Sequence, residues 1–501
     1  MLHRALALSV ALMIAPILAT TAQAGPADAI TVEAADDTLG PAFPTGFRAV
    51  TTFPIPYVEE EWLASGAATL FTYNDPPVPT EIVPVQTGVP YKTRFVLRRP
   101  ADPADFNGTV VIEWLNSTAG FDSAPSWDAS AEYFGRKGIL YVGVTNSDTS
   151  IRFMRNGCRL FGVLPPICGT RYRTLSLPEN GLAYEMMSQI AHALRSGSGS
   201  PLSAHFAVER VFHVGQSQQG GSIITYATAF HFPDNDGYFI QAAFSARAIN
   251  SGTPCGSANA PAYPGCTPQL QGASRLVRTD LPVPVIRSQT ETDMGSVASG
   301  FGVLALNARQ TDTERFRYYE TAGTAHNVVH KNIDVAGTGF TLDDFCLDPI
   351  NSFADGPVVG AYLYSAMWDA LEQHVTKGVP LPTGERLEVV NGEIVRDAYG
   401  NGRGGIRLPE LDVPIATYSP SNTVDPALPA FLQPIGGLVC RLSGAVFPFG
   451  NTTLNALYPT RRAYTRAYGR RSSKLESQRF LLPEDAEWLR EHSGLNVTWL
   501  K

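Results

Sequence analysis

The sequence predicts an α/β protein with a mostly parallel central sheet flanked by helices, and three observations carry that prediction. Apolar, β-branched runs alternate with amphipathic stretches at βαβ spacing, beginning with residues 108–115, a helical stretch over 127–137 and a second run over 139–144. The run 210–216 turns directly into a helical stretch, with Ser217 at the apex of the turn. Two later runs, 283–288 and 316–320, each end in a polar loop, and sites in open parallel sheets lie beyond the carboxyl ends of the strands.

The elements follow in order. Met1-Leu2-His3-Arg4, an apolar stretch from Ala5 to about Ala19 and the triplet Ala22-Gln23-Ala24 form the three parts of a secretory signal peptide, with cleavage expected after Ala24. Pro16 and the A-x-A site argue against a transmembrane anchor, which needs about 20 uninterrupted apolar residues. No later run is apolar enough to span a bilayer, so residues 25–501 are expected as a secreted or periplasmic protein without a membrane partner. Up to residue 100 the alternating runs 68–73 and 91–98 predict strands between proline-rich loops. The βαβ unit of 108–144 comes next, followed by a lid-like loop insertion over about 146–177 and a helix over 179–195 with Leu182, Met186, Ile190 and Leu194 on one stripe. Beyond Ser217 come a helix near 223–230, a strand over 238–244, a second insertion over about 245–281 and the strands 283–288 and 316–320. A helix over 358–375 precedes a C-terminal extension of about 380–501. It holds a hairpin signalled by Asn391-Gly392, a loop-rich stretch over 401–455, and helices near 459–471 and 483–492. There is no internal repeat and no composition break, so 25–501 is expected to be a single domain.

Composition narrows the function classes. The chain of 501 residues is 44% hydrophobic and 17% charged, with 45 Gly and 38 Pro, which suits a globular protein rich in turns. A net charge of −8 without a long basic run argues against a nucleic-acid partner. Six cysteines in an exported chain predict disulfides. Proximity pairs Cys158 with Cys168 and Cys255 with Cys266, leaving Cys346 with Cys440. No C-x-x-C or Cys/His spacing supports a metal site, so no metal is expected.

Strand, glycine two residues before a serine, tight turn and helix are the parts of the nucleophile elbow of α/β-hydrolases. Gly215 supplies the first glycine, but Gln219 stands where the G-x-S-x-G rule asks for the second, and small residues arrive only at Gly220 and Gly221. Acyl transfer by serine also needs an imidazole base, an orienting carboxylate and backbone donors for the oxyanion. In the chain order of this fold the acid follows a later strand and the histidine follows the last. Thr290-Glu291-Thr292-Asp293 and Ala322-Gly323-Thr324-Ala325-His326 occupy those places. His326 is the predicted base, with His330 as its local competitor, and His213 lies inside a strand. Asp293 is the predicted acid because it stands further beyond its strand, with Glu291 as the alternative. The first oxyanion donor is expected from Gln218, directly after the nucleophile, and the second from the loop that begins Asn116-Ser117. Trp114, Phe121 and Trp127 are expected in the core or lining a pocket.

These residues resemble the secreted bacterial α/β-hydrolase-domain proteins of esterase type. The resemblance rests on the stretches Val111-Ile112-Glu113-Trp114-Leu115-Asn116, Gly215-Gln216-Ser217-Gln218, Gln289-Thr290-Glu291-Thr292-Asp293 and Ala322-Gly323-Thr324-Ala325-His326. It continues in 407–418 and 480–486 and so covers most of the chain. It implies an α/β-hydrolase fold and a carboxylic-ester hydrolase that needs no cofactor. The expected function is therefore a secreted serine hydrolase acting on a small-molecule or polymer ester through an acyl-enzyme. The alternatives are a serine peptidase or amidase with the same triad, and a catalytically inactive exported binding protein.

Overall fold

The computed structural model describes residues 30–46, 48–74, 78–159, 165–197, 200–202, 205–250, 276–295, 305–327, 341, 343–350 and 360–493. The expected signal peptide, the expected Cys255–Cys266 pair and His330 lie outside the described residues.

The central sheet has nine strands: β1 (Thr31–Ala34), β2 (Tyr57–Tyr73), β3 (Ile82–Pro100), β4 (Thr109–Trp114), β5 (Leu140–Val144), β6 (Arg210–Gln216), β7 (Gly237–Gln241), β8 (Val285–Thr290) and β9 (Phe316–Thr321). They lie in the order β1-β2-β3-β5-β4-β6-β7-β8-β9. The first three and the β3–β5 contact are antiparallel, and everything from β5 to β9 is parallel. The order reverses about β4, between β5 and β6, and at such a switch point the carboxyl ends of neighbouring strands open a crevice.

The parallel strands read as continuous apolar runs because both of their faces are covered. Along β4, Val110, Ile112 and Trp114 pack into one core and Val111 into the other, the period of two that a strand imposes. Helix α1 (Pro125–Lys137) packs on the second face, starting with proline in its first turn and ending on left-handed Gly138. On the first face lie α3 (Ala183–Ser196) and α4 (Gln218–Thr225), which continues as a π-helix over Tyr226–Phe230. Two more helices are central to the site: α2 (Asp148–Arg155), capped by the Ser147 side chain, and the single turn α5 (Glu291–Met294). Helix α6 (Ala361–Lys377) supports the second core.

Two stretches hold more structure than the sequence predicts. The first insertion contains α2 rather than loop alone. The stretch 401–455 contains α7 (Pro409–Asp412), α8 (Gln433–Ser443), α9 (Asn451–Leu457) and two short strands. The hairpin about Asn391-Gly392 forms as β10 (Val389–Val390) and β11 (Glu393–Ile394), with both turn residues at positive φ. Strands β12 (Ala416–Ser419) and β13 (Ala445–Pro448) pair with each other across the intervening α8. The chain closes with α10 (Arg461–Ser477) and α11 (Pro483–His492). Cys158 is bonded to Cys168 and Cys346 to Cys440, as proximity and elimination predict. Among the described residues no helix is long and apolar enough to cross a membrane.

Candidate active site

Ser217 stands at the turn from β6 into α4 with φ 57° and ψ −116°, a conformation that a non-glycine residue holds only when its surroundings enforce it. The Ser217 N–H donates to Gln241 O at 2.8 Å, and Ser217 O accepts from the Gly221 N–H at 3.0 Å. These bonds tie the turn to the end of β7 and to the first turn of α4. A Cβ on Gly215 would lie 2.5 Å from the Gln219 carbonyl oxygen, and one on Gly220 would lie 2.7 Å from Ala243 Cβ. The crowding that makes such turns glycine-rich therefore falls on 215 and 220. The Gln219 side chain is buried and lines a cavity beside the turn.

The acid and histidine loops follow β8 and β9. At the start of α5, Thr290 and Asp293 form a reciprocal capping box: the Thr290 N–H and Oγ1–H donate to Asp293 Oδ2 at 2.8 and 2.7 Å. That fixes the carboxylate with its other oxygen, Oδ1, 2.5 Å from His326 Nδ1. Both side chains are buried, 2% and 5% exposed. Glu291 does not share this role. Its carboxylate accepts from the Gly323 N–H at 2.6 Å and pairs with Arg396, so it faces the body of the histidine loop rather than the imidazole. Thr292 completes the grip, since its Oγ1 accepts from the His326 N–H at 3.1 Å while donating to Pro420 O. Three successive residues of α5 thus hold the histidine loop.

Gln216 joins β6 to both neighbouring loops. Its Nε2 donates to His326 O at 3.0 Å, and its carbonyl and Oε1 accept from Asn116 Nδ2 at 3.0 and 3.2 Å. Sequence reasoning passes over Gln216, although a fully buried amide at the end of an apolar strand is itself a signal. The two loop residues expected to supply the second oxyanion donor differ. The Asn116 N–H is engaged by Ser123 O at 2.9 Å and cannot serve, whereas the Ser117 N–H has no acceptor among the described residues. The Ser117 hydroxyl donates to Gln218 Oε1 at 3.0 Å, bringing that loop against the residue after Ser217. The Gln218 N–H belongs to the first turn of α4, where helix N–H groups have no intrahelical partner.

Electrostatics separate the remaining candidates. His213 is buried in β6, where its Nδ1 accepts from Trp114 Nε1 at 3.1 Å and burial drives its pKa down to about 3. It is a neutral packing residue. Burial pushes Glu113 up to about 7, opposed by donation from the Ser126 and Trp127 N–H groups and the Tyr141 hydroxyl at 2.8–2.9 Å. Glu113 caps α1 beneath the sheet. Trp127 is wholly buried in the second core, with Arg98 over its ring, and Phe121 packs edge-on against Phe43. Of the three aromatics only Trp114 reaches the cavity.

That cavity, about 480 Å³, opens at the carboxyl ends of β4, β5, β6 and β7. Its walls come from Ser117, the start of the first insertion at Asn146–Thr149, the turn before α3, Gln218 to Ser222 on α4, and Ser245 to Asn250 of the second insertion.

A serine on a strained strand-to-helix turn, with acid and histidine loops after the next strands of a largely parallel sheet, defines an α/β-hydrolase. The chain belongs to the alpha/beta hydrolase domain family, whose model matches residues 29–491. Among solved structures it is similar to the glucuronoyl esterase from Solibacter usitatus (11% identity, 57% of this chain and 83% of that one, TM-score 0.26). Esterase 2 of Thermogutta terrifontis is similar at 12% identity, over 46% and 78% of the two chains, with a TM-score of 0.25. A poly(3-hydroxybutyrate) depolymerase from Bordetella parapertussis is similar at 15% identity, over 41% and 64%, with a TM-score of 0.24. No curated protein matches the chain.

Proposed function

We propose that this protein is an exported serine hydrolase that cleaves a carboxylic ester through an acyl-enzyme. Ser217 Oγ attacks the ester carbonyl and passes its proton to His326 Nε2. The oxyanion is held by the N–H groups of Gln218 and Ser117. Collapse releases the alcohol, which takes the proton from His326, and water then repeats the sequence on the acyl-enzyme to release the acid. Asp293 holds the imidazole with Nδ1 protonated. The observation that carries this reading is the 2.5 Å contact between Asp293 Oδ1 and His326 Nδ1, in a loop that Gln216 bonds to the nucleophile strand. The helix amino terminus after Ser217 adds a field that favours negative charge at the oxyanion. Two disulfides among the described residues support export to an oxidising compartment. The test is turnover of para-nitrophenyl acyl esters beside matched anilides. Ester turnover that falls by about 10³-fold or more in Ser217→Ala is the expected result, and full activity of that variant contradicts the assignment.

A further inference from the structure

The cavity beside Ser217 carries chemistry that the triad does not use. Its lining is dominated by amides and hydroxyls, which an aliphatic chain would leave without hydrogen-bond partners. Gln219 is 4% exposed, and its Oε1 has no hydrogen-bond partner among the described residues. A buried acceptor without a donor is unfavourable, and a ligand hydroxyl would satisfy it. Arg247 is the one charged residue in the lining and pairs with no carboxylate among the described residues. Its backbone is fixed, with the N–H donating to Gly221 O at 3.0 Å and the carbonyl accepting from Thr225 Oγ1 at 2.7 Å. Its stem packs against Gly221, where a Cβ would lie 3.0 Å from Arg247 Cγ. The rest of the side chain is exposed, and its guanidinium offers a planar fork suited to a carboxylate. Across α2, Arg155 and Arg173 line a second hollow of about 540 Å³, also without carboxylate partners among the described residues, and add positive charge on that side.

The walls also say which half of an ester the cavity receives. The leaving alcohol must lie towards His326, which protonates it. The cavity is instead walled by Ser117, Gln218 and Gln219, on the oxyanion side of the elbow, and neither Ser217 nor His326 is in its lining. Resting on the ester-hydrolase reading above, we propose that this cavity is the acyl subsite and selects a hydroxylated acyl group bearing a second, ionised carboxylate. Arg247 binds the carboxylate and Gln219 accepts from a hydroxyl.

Three methyl esters of six-carbon acids, hydrolysed by the full chain and followed by proton release, separate these elements: methyl hexanoate, monomethyl adipate and monomethyl galactarate. The expected order of kcat/KM is galactarate above adipate above hexanoate, each step about tenfold. Arg247→Gln collapses the step from hexanoate to adipate, with partial rescue in Arg247→Lys. Gln219→Leu collapses the step from adipate to galactarate. Labelling of Ser217 by a neutral fluorophosphonate shows that each variant is folded. Hexanoate cleaved as well as adipate overturns the subsite while the hydrolase reading stands, and so does a protein that labels at Ser217 yet cleaves none of the three. Absence of both labelling and hydrolysis removes both readings.

Discussion

Glu291 and Asp293 stand two residues apart in one helical turn and hold different parts of the site. Asp293 is turned to the imidazole by its capping box with Thr290, and Glu291 is turned to Gly323 and Arg396. Their substitutions should therefore fail in different ways. Asp293→Asn is expected to lower kcat by about 10³–10⁴-fold, because the imidazole loses the partner that sets its tautomer, while the thermal midpoint changes little. Glu291→Gln is expected to reduce stability by about 1–3 kcal/mol in urea titration, since the Arg396 guanidinium loses its carboxylate. Equal effects of the two on kcat would contradict this division. In the sequence, distance from the strand favours Asp293 without deciding the matter. The pattern Thr290-x-x-Asp293 is a helix-start signature that the sequence reading did not use, and it points to the same residue. The engagement of Asn116 N–H by Ser123 was not legible, because it depends on a bridge formed only when the loop closes on itself.

At the scale of elements, the elbow is shaped by backbone approach. Gly215→Ala would place a Cβ 2.5 Å from Gln219 O, and Gly220→Ala would place one 2.8 Å from Gln241 O. Neither neighbour is a flexible side chain that can step aside. Both variants are expected to lose fluorophosphonate labelling and about 2 kcal/mol or more of stability, measured by denaturant titration; labelling at the native rate would show that the turn does not need these glycines. The parallel strands were legible because burial on both faces leaves uninterrupted apolar runs, and α1 and α3 because their stripes recur at helical period. Strands β12 and β13 were not. Each is four residues long and their pairing spans α8, so nothing local marks them. Helix α2 was hidden because it begins inside a polar stretch read as loop, although Ser147 caps it.

For the whole molecule, the C-terminal extension is built into the hydrolase body. The Asn327 N–H, next to His326, donates to Leu442 O of α8 at 2.8 Å, Ile406 adds a parallel bridge beside β9, and Cys440 ties α8 to Cys346 across 94 residues. Replacing Cys346 and Cys440 together by serine is expected to cost about 2–5 kcal/mol in denaturant titration through the freed loop. Glu410 in α7 gives the extension a pH signature. Burial raises its pKa to about 7 from 4.5, and its Oε2 has no hydrogen-bond partner among the described residues while Tyr468 donates to Oε1. Between those values the folded chain holds a proton that the unfolded chain has released. This contribution to stability is therefore fully present below 4.5 and lost as pH rises through about 7. Relative to wild type, Glu410→Gln should gain on the order of 3 kcal/mol on going from pH 4 to pH 8; a pH-independent difference would contradict the assignment. The central claim is that Ser217 is a nucleophile activated by His326, and the most direct measurement is fluorophosphonate labelling of the folded protein with peptide mapping by mass spectrometry. The account predicts one label per chain, on Ser217, absent in His326→Ala and slowed in Asp293→Asn. A label on another residue, or none on a folded chain, contradicts it.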